Sequence, residues 1–257
     1  MNHFHTLKHR RALVPFLMLG DPSLEQSLTL IKSAIDAGAD ALELGLPFSS
    51  SLAESPVIQR SAERALKHIK YRDALHLLQE LRLYTDIPIG VLTYCNPLWH
   101  RGMAHALAEL SAVGVDAVLI ADLSFEAAKT FESVFAMHHV GQIFLIAPNT
   151  DPERAALIHQ SSTGFSYIVD VMGTAGVREG VSEATLTRLQ ALKPLNAAAP
   201  LIVGSGIQEP KQVQALWDAG ADGVIIGSRL IQCIEDHLHA PDLALQEIRA
   251  LIKRCKE

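Results

Sequence analysis

Two carboxylates and two glycine-rich segments are the residues best placed to do chemistry. Glu43 stands alone among apolar neighbours in Ala41-Leu-Glu-Leu-Gly45. A carboxylate there loses its hydration unless a partner replaces it, and its pKa rises toward the range useful for giving and taking protons. Its other use would be structural, tying down neighbouring backbone. Glu54 lies in the polar stretch Pro47–Pro56. Taken alone it reads as a solvated loop residue. Beside Glu43 it would complete a pair whose differing surroundings separate an acid from a base.

The glycine-rich segments are Val203-Gly-Ser-Gly206 and Ile226-Gly-Ser-Arg229, the second opening a helical stretch. Glycines let backbone N–H groups approach phosphate oxygens, Ser228 adds a hydroxyl, and a helix amino terminus favours an anion. Either segment alone would pass for a tight turn; together they point to a bound phosphate. Met172–Gly180 carries three further glycines, including Gly176, and reads as a lid able to exclude water from a loaded site. The twelve histidines are scattered, and His3/His5, His138/His139 and His237/His239 lack convergent Cys or carboxylate partners in sequence, so no metal site is expected. Neither a GxSxG elbow nor a Walker loop is present.

The elements that would position these residues announce themselves by repetition. Ala37-Gly-Ala-Asp40, Val113-Gly-Val-Asp116 and Ala219-Gly-Ala-Asp222 each precede a short apolar run. Each reads as a helix end, a glycine able to take positive φ, and a strand. Strands are expected at Leu13–Leu19, Ala41–Gly45, Ile89–Tyr94, Ala117–Ala121, Gln142–Ala147, Phe165–Val169, Leu201–Val203 and Gly223–Ile226. Runs apolar on both faces suit a parallel sheet covered by helices. Ser23 with Gln26, Asp151-Pro152 and Ser182-Glu183 mark helix starts. Eight strands alternating with helices in 257 residues predict an α/β fold, a (β/α)8 TIM barrel spanning 1–257 as a single domain. In such barrels the site lies at the carboxyl ends of the strands, where Glu43 and both glycine-rich segments fall.

Composition excludes several classes of function. A net charge of −6 without a Lys/Arg cluster argues against a nucleic-acid partner. Lys8, Arg10 and Arg11 before Ala12–Leu19 superficially resemble a secretion signal, but Pro15 and Gly20-Asp21 interrupt the run and no small-residue cleavage site follows. That run is expected to be the first buried strand. No uncharged apolar stretch approaches the ~18 residues of a membrane span. Cys95, Cys233 and Cys255 lack CxxC spacing and are expected to be reduced thiols of a cytoplasmic protein.

Across nearly its whole length the sequence resembles the alpha subunit of tryptophan synthase. The resemblance rests on Pro15-Phe16 with Gly20-Asp21-Pro22, on Ala39-Asp-Ala-Leu-Glu-Leu-Gly-Leu-Pro-Phe-Ser49, and on Pro56-Val-Ile-Gln59. Further matches are Pro88-Ile-Gly90 with Tyr94 and Asn96, Ala121-Asp122, Gly173 with Gly176, Gly206-Ile207 with Pro210, and Gly227-Ser228. The resemblance implies a carbon–carbon lyase of tryptophan biosynthesis that splits indole-3-glycerol phosphate into indole and glyceraldehyde-3-phosphate. It assigns Glu43 as the acid–base carboxylate and Glu54 to the place of an aspartate that accepts the indole N–H. It places phosphate on Gly176, Gly206, Gly227 and Ser228, and indole near Phe16 and Tyr167. It also implies no cofactor in this subunit and a pyridoxal-phosphate beta subunit as partner.

The sequence departs from the family pattern on functional loops. Ser50-Ser51 replace Asp-Pro, Glu54 an aspartate, Ser55 a glycine, Ala175 the lid threonine, and Ser205 a phenylalanine that contacts indole. These changes leave two other readings open: a non-catalytic, phosphate-ligand-binding regulatory subunit, or a lyase for a different phosphorylated substrate.

Overall fold

Strands that are apolar on both faces need cover on both sides, and the chain supplies it by returning from nearly every strand through helices. The computed structural model describes residues 3–170, 180–195 and 197–257. The strands are β1 (Ala12–Met18), β2 (Leu42–Gly45), β3 (Ile89–Thr93), β4 (Ala117–Ile120), β5 (Gly141–Ile146), β6 (Ser166–Val169), β7 (Leu201–Gly204) and β8 (Gly223–Ile226). All pair in parallel with their sequence neighbours, and β8 returns to β1 through Ala12↔Gly223 to Pro15↔Ile226, closing the barrel. Every expected strand is present, with boundaries moved by a residue or so. The early apolar run is β1, buried along its whole length.

The helices that cover the barrel are α1 (Leu24–Asp36), α2 (Pro56–Ala65), α3 (Tyr71–Tyr84), α4 (Cys95–Arg101), α5 (Met103–Ala112) and α6 (Phe125–Lys129). They continue with α7 (Glu132–Met137), α8 (Pro152–Ser161), α9 (Glu183–Leu192), α10 (Pro210–Asp218), α11 (Ser228–Asp236) and α12 (Pro241–Lys256). The three expected starts are capped: Ser23 accepts from the Gln26 N–H, Asp151 from Glu153 and Arg154, and Ser182 from Thr185. A short 3-10 turn, His3–Leu7, buries Phe4 against Phe165 and Gly90 at the amino-terminal end of the barrel.

The repeated junction does two jobs. Gly38, Gly114 and Gly220 all take positive φ. Each places the following N–H on a carbonyl of the preceding helix: Ala39 on Ala34 (3.2 Å), Val115 on Leu110 (3.0 Å) and Ala221 on Leu216 (3.0 Å). This geometry closes the helix end and satisfies its free carbonyls. The aspartate that follows then accepts from the first free N–H of the strand before that helix. Asp40 receives Leu13 at 2.7 Å, Asp116 receives Ile89 at 2.8 Å, and Asp222 receives Leu201 at 2.8 Å. One four-residue pattern thus ends a helix and pins the neighbouring strand.

Barrel register sets the neighbours at the carboxyl ends of the strands. Phe16 pairs with Glu43 across β1 and β2, and Tyr167 with Ile202 across β6 and β7. Gly204 is required beside them, because a Cβ there would collide with the Tyr167 hydroxyl. Among the described residues, no helix is long and apolar enough to cross a membrane.

Candidate active site

At the carboxyl ends of the strands lies a cleft of about 560 Å³. Its lining includes Phe16, Glu43, Glu54, Tyr167, Gly206, Gly227 and Ser228. Of the residues singled out from sequence, these seven come together from both ends of the chain. Gly176 and Ala175, with the rest of the expected lid up to residue 179, lie outside the described residues.

Glu43 projects from β2 and is 1% exposed. Its Oε1 is buried without a hydrogen-bond partner among the described residues, although the side chain lines the cleft. Burial, and secondarily the charge of Glu54, pushes its pKa up to about 8. A structural carboxylate would have its acceptors filled by backbone N–H groups; this one lines the cleft with a buried oxygen that no described residue satisfies.

Glu54 is not the freely solvated loop residue that its local sequence suggests. It is half-buried and accepts a short hydrogen bond from the Tyr94 hydroxyl, which in turn accepts from the Ala53 N–H at 3.0 Å. Burial raises its pKa to about 7, the Tyr94 bond and a backbone contact oppose the rise, and the Asp122 charge adds to it. Tyr94 is itself pushed well above the usual phenol range by burial and by Glu54, so it remains a donor. Its ring stacks on Phe48 at 4.9 Å. The Gln59 side-chain amide donates to the Glu54 carbonyl at 2.9 Å, fixing the main chain on which the carboxylate rides.

Opposite the carboxylates, β7 ends in a turn where Ser205 (φ 71°) and Gly206 (φ 81°) both take left-handed conformations. Gly227 precedes the first turn of α11, whose free N–H groups begin at Ser228. Glycine at 227 lets the backbone pass Phe16 closely, since a Cβ there would sit 3.2 Å from the Phe16 Cβ. The cleft is thus lined by two carboxylates, by the rings of Phe16 and Tyr167, and, at the start of α11, by backbone and a hydroxyl suited to an anion.

Comparison with known proteins identifies the family. The family model of the tryptophan synthase alpha chain matches residues 4–257. An alpha chain from Methanothermobacter thermautotrophicus is 39% identical over 241 residues, covering 93% of this chain and 89% of that one. One from Escherichia coli O6:H1 is 40% identical, covering 98% and 96% respectively. A solved structure of the tryptophan synthase a2b2 complex from Pyrococcus furiosus superposes with a TM-score of 0.89 at 34% identity, covering 96% of this chain and 98% of that one. The chain belongs to the tryptophan synthase alpha chain family.

The departures from the family pattern can now be placed. Glu54 sits where the family has aspartate, and Tyr94 holds the longer side chain. Ser205 lines the cleft in place of an aromatic residue. Ser55 replaces glycine at the residue before α2, and its hydroxyl lies 2.8 Å from that of Ser228. Sequence reasoning gave Tyr94 no role beyond the resemblance, and it missed the Ser55–Ser228 contact. The first was signalled only by a phenol at the end of a strand next to the Glu43 strand. The second joins residues 173 positions apart and left no local signal. Among the described residues, no cluster of His, Cys, Asp or Glu is arranged to hold a metal ion.

Proposed function

We propose that this chain, acting as one domain, cleaves indole-3-glycerol phosphate to indole and glyceraldehyde-3-phosphate, with Glu43 and Glu54 as its catalytic pair. The observation that carries the reading is the pairing of two carboxylates with raised pKa values in one cleft whose far end is built from Gly206, Gly227 and Ser228. Protonated Glu43 delivers its proton to the indole carbon that bears the glycerol chain. The positive charge this creates spreads to the ring nitrogen, whose N–H is met by the Glu54 carboxylate. The carbon–carbon bond then breaks with its electron pair returning to the ring, restoring aromatic indole. The glycerol hydroxyl becomes the aldehyde and gives its proton to Glu43, which ends the cycle as it began. A carboxyl near pH 8 and a carboxylate near pH 7 provide the two required protonation states at neutral pH.

The remaining cleft residues position the substrate. Phe16 and Tyr167 would flank the indole, and the phosphate would take the α11 amino terminus with the Ser228 hydroxyl. No cofactor is needed in this chain, because both proton transfers are within reach of its own carboxylates.

The partner in this reading is a tryptophan synthase beta subunit, carrying pyridoxal phosphate and consuming the indole. Two large apolar side chains that follow strands at the same end of the barrel, Leu52 after β2 and Trp99 in the helix after β3, are 84% and 64% exposed. Exposed apolar residues beside an active-site mouth suit a subunit that receives its product directly. Three cysteines without a disulfide accord with a cytoplasmic setting. The test is indole release from indole-3-glycerol phosphate by the purified chain, with and without a beta subunit and serine. Release that rises with the partner is expected; none under either condition, from folded protein, would overturn the reading.

A further inference from the structure

Ser55 is the residue immediately before α2, where a serine ordinarily caps its own helix by accepting an N–H bond. Here it makes no such bond. Its hydroxyl instead meets the Ser228 hydroxyl at 2.8 Å, joining the start of α2 to the start of α11. The two helices are also clamped further along. Glu235 of α11 accepts from Arg60 (2.9 and 2.6 Å) and from Arg64 (2.6 Å), both on α2. Arg64 is held in turn by buried Asp21 through two bonds of 2.8 Å. The serine pair thus joins the amino ends of α2 and α11 while the ion pairs join their later turns, and Glu54 is the residue just before Ser55.

We propose that Ser55 is a positioning residue that couples occupancy of the phosphate end of the cleft to the placement of Glu54. This inference rests on the function proposed above. With the cleft empty, either serine can donate in the Ser55–Ser228 bond. A phosphate dianion accepts from Ser228, leaving the Ser228 oxygen to accept from Ser55. A single chain of donors then runs from Ser55 through Ser228 to the phosphate, each bond polarising the next. Ser55 becomes fixed, and with it the peptide carrying Glu54, whose carbonyl is already held by Gln59. The phosphate thus does more than retain substrate: it completes the geometry of the neighbouring Glu54 carboxylate.

The test separates this role from simple phosphate binding and from structural support. The S55A and S55T variants are compared with the parent chain on indole-3-glycerol phosphate, and on unphosphorylated indole-glycerol with added phosphite as a detached dianion. For S55A, kcat should fall about tenfold while KM stays within about threefold. S55T, which keeps the hydroxyl, should recover most of the loss. Phosphite should accelerate cleavage of indole-glycerol by the parent and by S55T, and not by S55A. An S55A variant with the parent's kcat, or with an equal response to phosphite, overturns the coupling. A raised KM with unchanged kcat does so too, because it makes Ser55 a phosphate ligand only. Absence of turnover by the parent chain would instead overturn the underlying function, and the coupling with it.

Discussion

Glu43 and Glu54 are both carboxylates in one cleft, yet their surroundings give them different work. Glu43 has an unfilled buried oxygen and a pKa raised to about 8; Glu54 has a phenol donor and a pKa raised to about 7. With the first needed protonated and the second ionised, kcat/KM should follow a narrow bell, rising near pH 7 and falling near pH 8. The two apparent values belong to the coupled pair rather than to either residue. The Tyr94 bond lowers the Glu54 pKa, so Y94F should move the rising limb to higher pH and leave the falling limb nearly in place. A pH–rate profile unchanged by Y94F would contradict the part given to the Tyr94–Glu54 bond in setting that limb. Glu43 was legible in the sequence because a lone charge in an apolar strand is costly without a use. The environment of Glu54 was not, because Tyr94 comes from another strand, 40 residues away.

The elements were legible to the extent that their signals are local. The glycine of each Ala-Gly-Ala-Asp-type junction announces a helix end, and three of eight strands could be placed from it. The aspartate of the same junction does something the sequence did not reveal, since its partner is the strand on the far side of the preceding helix. Asp222 is the clearest case: buried, it accepts from Leu201 at 2.8 Å and from His9 at 2.7 Å. Replacing it with alanine would leave those N–H groups without their acceptor, at a cost of about 2–3 kcal/mol. Urea unfolding of D222A should show that loss; a change below about 0.5 kcal/mol would remove strand pinning from the account. The contact between Ser55 and Ser228 was beyond reach for a similar reason, because only barrel closure brings the second and eighth strand-to-helix loops together.

At the scale of the whole molecule, closure of β8 on β1 sets residues from the first quarter of the chain beside residues from its last. Phe16, Glu43 and Glu54 thereby share a cleft with Gly206, Gly227 and Ser228. The helix after β3 carries exposed Trp99, which makes an edge contact with Phe131 at 6.3 Å. W99A should weaken association with a beta subunit by tenfold or more, as expected for loss of an aromatic anchor, while the isolated chain keeps its turnover. Unchanged affinity by titration would place the interface elsewhere. Everything proposed for the molecule depends on Glu43 moving protons for the bond cleavage. The most direct measurement is indole release from indole-3-glycerol phosphate by the parent chain and by E43Q, each checked for binding of glycerol phosphate. The account predicts turnover by the parent and its loss in E43Q, with glycerol phosphate bound about equally by both. Turnover by E43Q comparable to the parent's would contradict it.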